Sequence, residues 1–136
     1  MDIKPEVWDH VMGFAKQLAN ESEPDRYATT YKALHDYCEE QSLGGYDHPF
    51  LWETLADFTM DDGAAVPLYQ RALKLAVGDE ARAYRASIQF SLAERHKRLG
   101  DDAQAREYAV SADDEARAID DRELRRRISR FLLSKE

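Results

Sequence analysis

The sequence predicts an all-α protein built from antiparallel helix hairpins. Three observations carry that expectation. Apolar residues recur three or four positions apart in seven separate segments, which is the period of one helix face. Glycines and aspartates punctuate the short gaps between those segments. No segment alternates apolar and polar positions through a run of β-branched residues, so no sheet is expected.

The first helix is expected from about Pro5 to Ala19, with Val7, Trp8, Val11, Met12, Phe14, Ala15 and Leu18 as its apolar face. Pro5 suits the first helical turn, where its missing N–H costs nothing. The second covers about Asp25 to Gln41, with Tyr27, Tyr31, Leu34, Tyr37 and Cys38 as its stripe and Gly44-Gly45 as its stop. The third takes Asp47 as N-cap and Pro49 near its start, and runs to about Met60 through Phe50, Leu51, Trp52, Leu55, Ala56 and Phe58. The fourth follows the turn Asp61-Asp62-Gly63 and spans about Ala64 to Val77, with Pro67 near its first turn.

Gly78 separates the fourth helix from a long fifth one, about Asp79 to Leu99, whose inner candidates are Ala83, Tyr84, Ala86, Ile88, Leu92 and His96. Gly100 ends it. Asp101 or Asp102 caps the sixth helix, which passes through Ala105, Tyr108, Ala109 and Ala112 to about Ala118. The seventh covers about Asp121 to Ser134 and places Leu124, Ile128, Phe131 and Leu132 on one face.

The chain has 136 residues, enough for one domain with a real core. Its 43% apolar and 34% charged content excludes a disordered chain. No apolar run approaches the roughly 18–20 residues that span a membrane. The start, Met1-Asp2-Ile3-Lys4-Pro5-Glu6, lacks the basic and apolar stretches of a signal peptide, and the single cysteine, Cys38, excludes an internal disulfide. A cytoplasmic location is the expectation.

The net charge of −8 is unevenly spread. Residues 1–68 hold 4 basic and 14 acidic side chains, against 15 and 13 in residues 69–136. An acidic first half argues against nucleic acid, which needs a basic footprint. It suits a protein partner of basic character, or serves solubility. Helix seven carries Arg122, Arg125, Arg126, Arg127 and Arg130. That run is either a solvated face opposite the apolar one or a surface for an acidic partner. A homodimer joining the Arg-rich helix of one copy to the acidic half of another is one expectation from this asymmetry.

Catalytic templates fail one by one. His10, His35, His48 and His96 do not pair with each other or with Cys38 at metal-ligand spacing. Glu39 and Glu40 beside Cys38 would raise the thiol pKa rather than activate it. No nucleophile elbow, phosphate loop or dinucleotide fingerprint occurs. The acidic pairs Asp61/Asp62, Asp101/Asp102 and Asp120/Asp121 precede helices and suit capping. The expectation is a protein that is not an enzyme and takes no cofactor or metal.

One stretch says more. Leu92-Ala93, His96, Gly100, then Ala105, Ala109 and Ala112 place large and small residues at fixed intervals across a helix–turn–helix. This resembles the tetratricopeptide (TPR) repeat, in which small side chains let antiparallel helices touch and large ones fill the gap to the next hairpin. Trp52, Leu55, Ala56, Gly63, Ala65, Tyr69 and Ala72 resemble a second, shortened copy. Trp8, Val11, Met12 and Ala15 resemble a degenerate first one. The resemblance implies a right-handed stack of about three hairpins, in residues 5–41, 47–78 and 79–118, with residues 121–134 as a capping helix.

In TPR folds the first helix of each hairpin lines a concave groove. That implies groove positions at Asp9, His10, Lys16 and Gln17 in the first pair. The second pair gives Phe50, Glu53, Thr54, Asp57 and Asp61, and the third Ser87, Phe90, Ser91, Glu94, Lys97 and Arg98. The middle of this surface is acidic, and Phe50 and Phe90 are candidate apolar anchors. Only Lys97 and Arg98, with Lys16 distant, could serve a carboxylate clamp, so that mode is disfavoured. The function expected is a protein- or peptide-binding adaptor or scaffold, in the role of a chaperone or of an inhibitor or immunity protein. The alternative is a regulatory sensor for a small ligand or signalling peptide.

Overall fold

A computed structural model of the chain describes residues 1–134. Among them are seven α-helices, one short 3-10 turn and no strand. The helices are α1 (Pro5–Ala19), α2 (Pro24–Leu43), α3 (Pro49–Asp57), α4 (Asp62–Leu75), α5 (Arg82–Arg98), α6 (Asp102–Ala118) and α7 (Arg122–Leu133). No helix is long and apolar enough to cross a membrane among the described residues.

Local chemistry fixes most helix ends. Asp61, Asp101 and Asp121 each accept a hydrogen bond from the backbone N–H three residues on, so they cap α4, α6 and α7. The Glu23 carboxylate accepts from Asp25 N and Arg26 N and starts α2. Three helices end in a paired 6→1 and 5→2 closure around a left-handed residue. That residue is Gly45 after α2, Gly100 after α5 and Asp120 (φ 54°) after α6.

Several boundaries differ from the sequence expectation. The cap of α3 is His48, whose Nδ1 accepts from Phe50 N at 3.0 Å. Asp47 instead accepts from the Trp52 indole at 2.6 Å, a tertiary use of a residue that pattern alone reads as a cap. The third helix stops at Asp57 rather than Met60, because Tyr27 and Tyr31 of α2 hold the segment that follows it: Tyr27 Oη donates to Phe58 O, and Tyr31 Oη bonds Thr59 Oγ1. Residues Asp79–Ala81 form a 3-10 turn before α5, so the fifth helix is shorter than expected. Pro67 lies in the second turn of α4. The Gly63 carbonyl that loses its bond there is exposed to water, which tempers the cost.

The helices form two layers. Helix α1 touches α3, and α3 touches α5, while Phe90 of α5 meets Phe131 of α7 edge-on at 5.7 Å. In the other layer Arg71 of α4 reaches Ser42 and Glu39 of α2. The starts of α3 and α5 lie together, since His48 meets Tyr84 edge-on at 5.3 Å. The start of α2 lies against the end of α3 through Tyr27 and Tyr31. Odd helices therefore run one way and even helices the other.

Two apolar clusters hold the layers together. The larger packs Trp52, Leu51 and Leu55 of α3 against Val11, Leu34, Cys38, Tyr69, Ile88 and Leu92. Each such large side chain contributes roughly 1.5–3 kcal/mol of burial. The smaller joins Ala86, Phe90 and Ala93 to Ala109, Ala112, Ala116 and Ile128. Alanines at 105, 109, 112 and 116 let α6 lie close against α5 and α7.

Candidate partner-binding face

The odd-numbered helices carry the chemically unusual side chains. Glu53 and Asp57 stand one turn apart on α3, on one face. Ser87, Ser91 and Glu94 follow the same spacing on α5 beside them. Ser87 Oγ donates to Glu53 Oε2 at 2.6 Å, and the Tyr69 hydroxyl of α4 donates to Asp57 Oδ1.

Glu53 is only 8% exposed. Burial pushes its carboxyl up to about 7, the Asp57 charge adds to the rise, and the Ser87 hydrogen bond opposes it. Asp57 opens to solvent but stands among enclosing protein walls, and its carboxyl is raised chiefly by desolvation. The Tyr69 hydrogen bond and Arg95 pull it back down, while Glu94 adds to the rise. The Tyr69 phenol is raised too, by burial first and then by Asp57, and remains a donor.

The Arg95 guanidinium, whose charge acts on Asp57, is committed elsewhere. Arg95, 9% exposed, donates to Thr59 O at 2.8 Å and Ala56 O at 3.1 Å, and pairs with Asp62 at 3.2 Å. It closes the C-terminal end of α3 rather than neutralising Glu53. Past Ser87 and Ser91, a cleft of about 240 Å³ runs between α5 and α7, walled by Leu124 and Arg127.

The residues marked by the sequence are distributed unevenly. Glu53, Asp57, Ser91 and Glu94 come together on this face. Thr54 lies in the same stretch of α3 but is buried. Phe50 is half-buried against the larger core. Phe90 is 5% exposed, covered by Phe131 and by the Arg127 guanidinium 5.1 Å from its ring centre, so it is part of the packing rather than an open anchor. Asp9 and His10 line a separate shallow depression on α1 with Gly13 and Phe14, and His10 stacks on Tyr37 at 5.0 Å. Lys97 lies over Phe131 at 5.3 Å, and Arg98 binds Asp62 at 3.1 Å.

Tyr69 and Arg95 were not legible as site residues. Tyr69 belongs to an even helix, and nothing in its spacing says that its hydroxyl reaches across to α3. A buried arginine carries no periodic signal at all. Cys38 is buried, its thiol donates to Leu51 O at 3.4 Å, and burial pushes its pKa up to about 12. No three His, Cys, Asp or Glu side chains gather closely enough to hold a metal among the described residues. No known protein family, curated protein or solved structure matches the chain.

Proposed function

We propose that this chain is a TPR-like helical-hairpin scaffold without catalytic activity, which holds a protein or peptide partner against the face formed by α3, α5 and α7. The observation that carries the reading is Glu53, a buried carboxyl whose hydrogen-bond partner Ser87 lines an open cleft and which takes part in no ion pair among the described residues. Such an arrangement opposes folding unless something outside the domain compensates it. The alternation of odd and even helices in two layers supports the repeat assignment. The partner's identity decides between chaperone, inhibitor and adaptor.

The test is capture from the native host's lysate with wild type and with Ser87→Trp, which fills the cleft from an exposed position. One protein retained by wild type and lost by the variant supports the reading. Equal retention moves the interface elsewhere.

Self-association is a second reading, favoured by the outer stripe of α7. Arg126 and Arg130 are exposed there and take part in no ion pair among the described residues. An acidic surface of a second copy would complement them. Sedimentation in low and high salt tests it: a dimer that dissociates with salt supports it, and a monomer in both rules it out.

A further inference from the structure

We propose that Glu53 and Asp57, with the Ser87 and Ser91 hydroxyls, form a subsite for one basic side chain, lysine or arginine, of a partner protein segment. This rests on the partner-binding reading above and adds the chemistry of what is bound.

The geometry supplies acceptors and leaves them open. Glu53 accepts from Ser87 through Oε2; its other oxygen takes part in no hydrogen bond or ion pair among the described residues and is reached by solvent, although the residue as a whole is more than nine-tenths buried. Asp57 accepts from Tyr69 through Oδ1, and its Oδ2 takes part in no hydrogen bond or ion pair among the described residues. Glu53 and Asp57 sit a helical turn apart on one face of α3, a spacing from which two carboxylates can reach one cation. Ser87, which bonds Glu53, and Ser91 line the cleft between α5 and α7 and add hydroxyl acceptors. The phenol of Tyr84, one turn before Ser87, is raised by burial first and then by the Glu53 charge, and its ring can take the aliphatic stem of a long side chain.

A side-chain cation fits better than the alternatives. A metal ion would need more carboxylate or imidazole ligands than gather here. The chain's own cations do not fill the role. Arg95 is spent on two carbonyls and Asp62, and Arg127 lies over Phe90 on the far wall. Glu94 adds further negative charge near Asp57. Desolvation raises both carboxyls, so an entering ammonium or guanidinium meets acceptors that gain more from it than solvated ones would.

A random 12-residue peptide library selected against the full chain tests this. Selected peptides are measured against wild type, the Glu53→Gln/Asp57→Asn double variant, Ser87→Trp, and Asp36→Asn on the exposed side of α2 as a control. The variants' folding is checked by circular dichroism. The expected result is peptides with lysine or arginine at one fixed position. Their affinity falls at least about tenfold in the double variant and not in Asp36→Asn. Peptides that Ser87→Trp blocks but that carry no fixed basic residue would overturn the subsite and leave the binding face standing. Peptides indifferent to Ser87→Trp, or none selected at all, would overturn both.

Discussion

Ser87 of α5 donates a 2.6 Å hydrogen bond to Glu53 of α3 and is the only hydrogen-bond partner of that carboxylate among the described residues. One neutral donor does not offset the loss of water around a buried charge. The cost has a pH signature. The folded carboxyl titrates at about 7, above its ordinary value of 4.5. A raised folded pKa gives stability that is complete below the unfolded pKa and lost as pH rises through the folded one.

Glu53→Gln therefore changes stability little at pH 4.5. It becomes more stable than wild type as pH rises, by about 2–3 kcal/mol at pH 8. Urea unfolding of both proteins across that range measures it. An identical difference at both ends would show that Glu53 is not desolvated as described.

Arg95 clamps the α3–α4 connection from α5. Arg95→Ala leaves the Thr59 carbonyl without its donor and takes one donor each from the Ala56 carbonyl, which keeps Thr59 N, and from Asp62, which keeps Arg98, and should cost about 1–3 kcal/mol. Arg95→Lys should recover part of this and no more, because one ammonium cannot reproduce the planar fork. Denaturant midpoints for the two variants give the ordering, and an unchanged Arg95→Ala would refute the clamp.

Asp120 holds a left-handed conformation in a closure where α2 and α5 use glycine. Asp120→Gly should stabilise by about 0.5–1 kcal/mol, since glycine adopts this φ without a side-chain penalty. Its ion pair with Arg122 is fully in water and offers little to lose. Thermal unfolding should show a higher Tm, and Asp120→Ala should show none of the gain.

Cys38 is sealed inside the larger core with its thiol pushed up to about 12. A thiol-specific reagent at pH 8 should therefore modify it only when the α2–α3 region opens. The labelling rate should rise with denaturant in step with unfolding. Fast labelling of the folded protein would contradict the burial.

The sequence by itself determined the seven helices, most of their ends and most of their buried apolar positions, while Trp8 and Ala83, read as inward, are exposed. Periodicity and capping are local properties, written in residues three or four apart. Asp61, Asp101 and Gly100 do at the chain level what they do in the fold. The TPR resemblance also marked Glu53, Asp57, Ser91 and Glu94 as positions of the groove helices. Burial across helices was decided only by tertiary packing. Asp47 left its capping role for the Trp52 indole, and Phe90 went under Phe131 instead of standing open. Tyr69 and Arg95 entered the neighbourhood of Asp57 from two other helices. The Tyr69–Asp57 and Phe90–Phe131 contacts join residues 12 and 41 positions apart, where no local pattern reports which group will be covered or which partner will reach it.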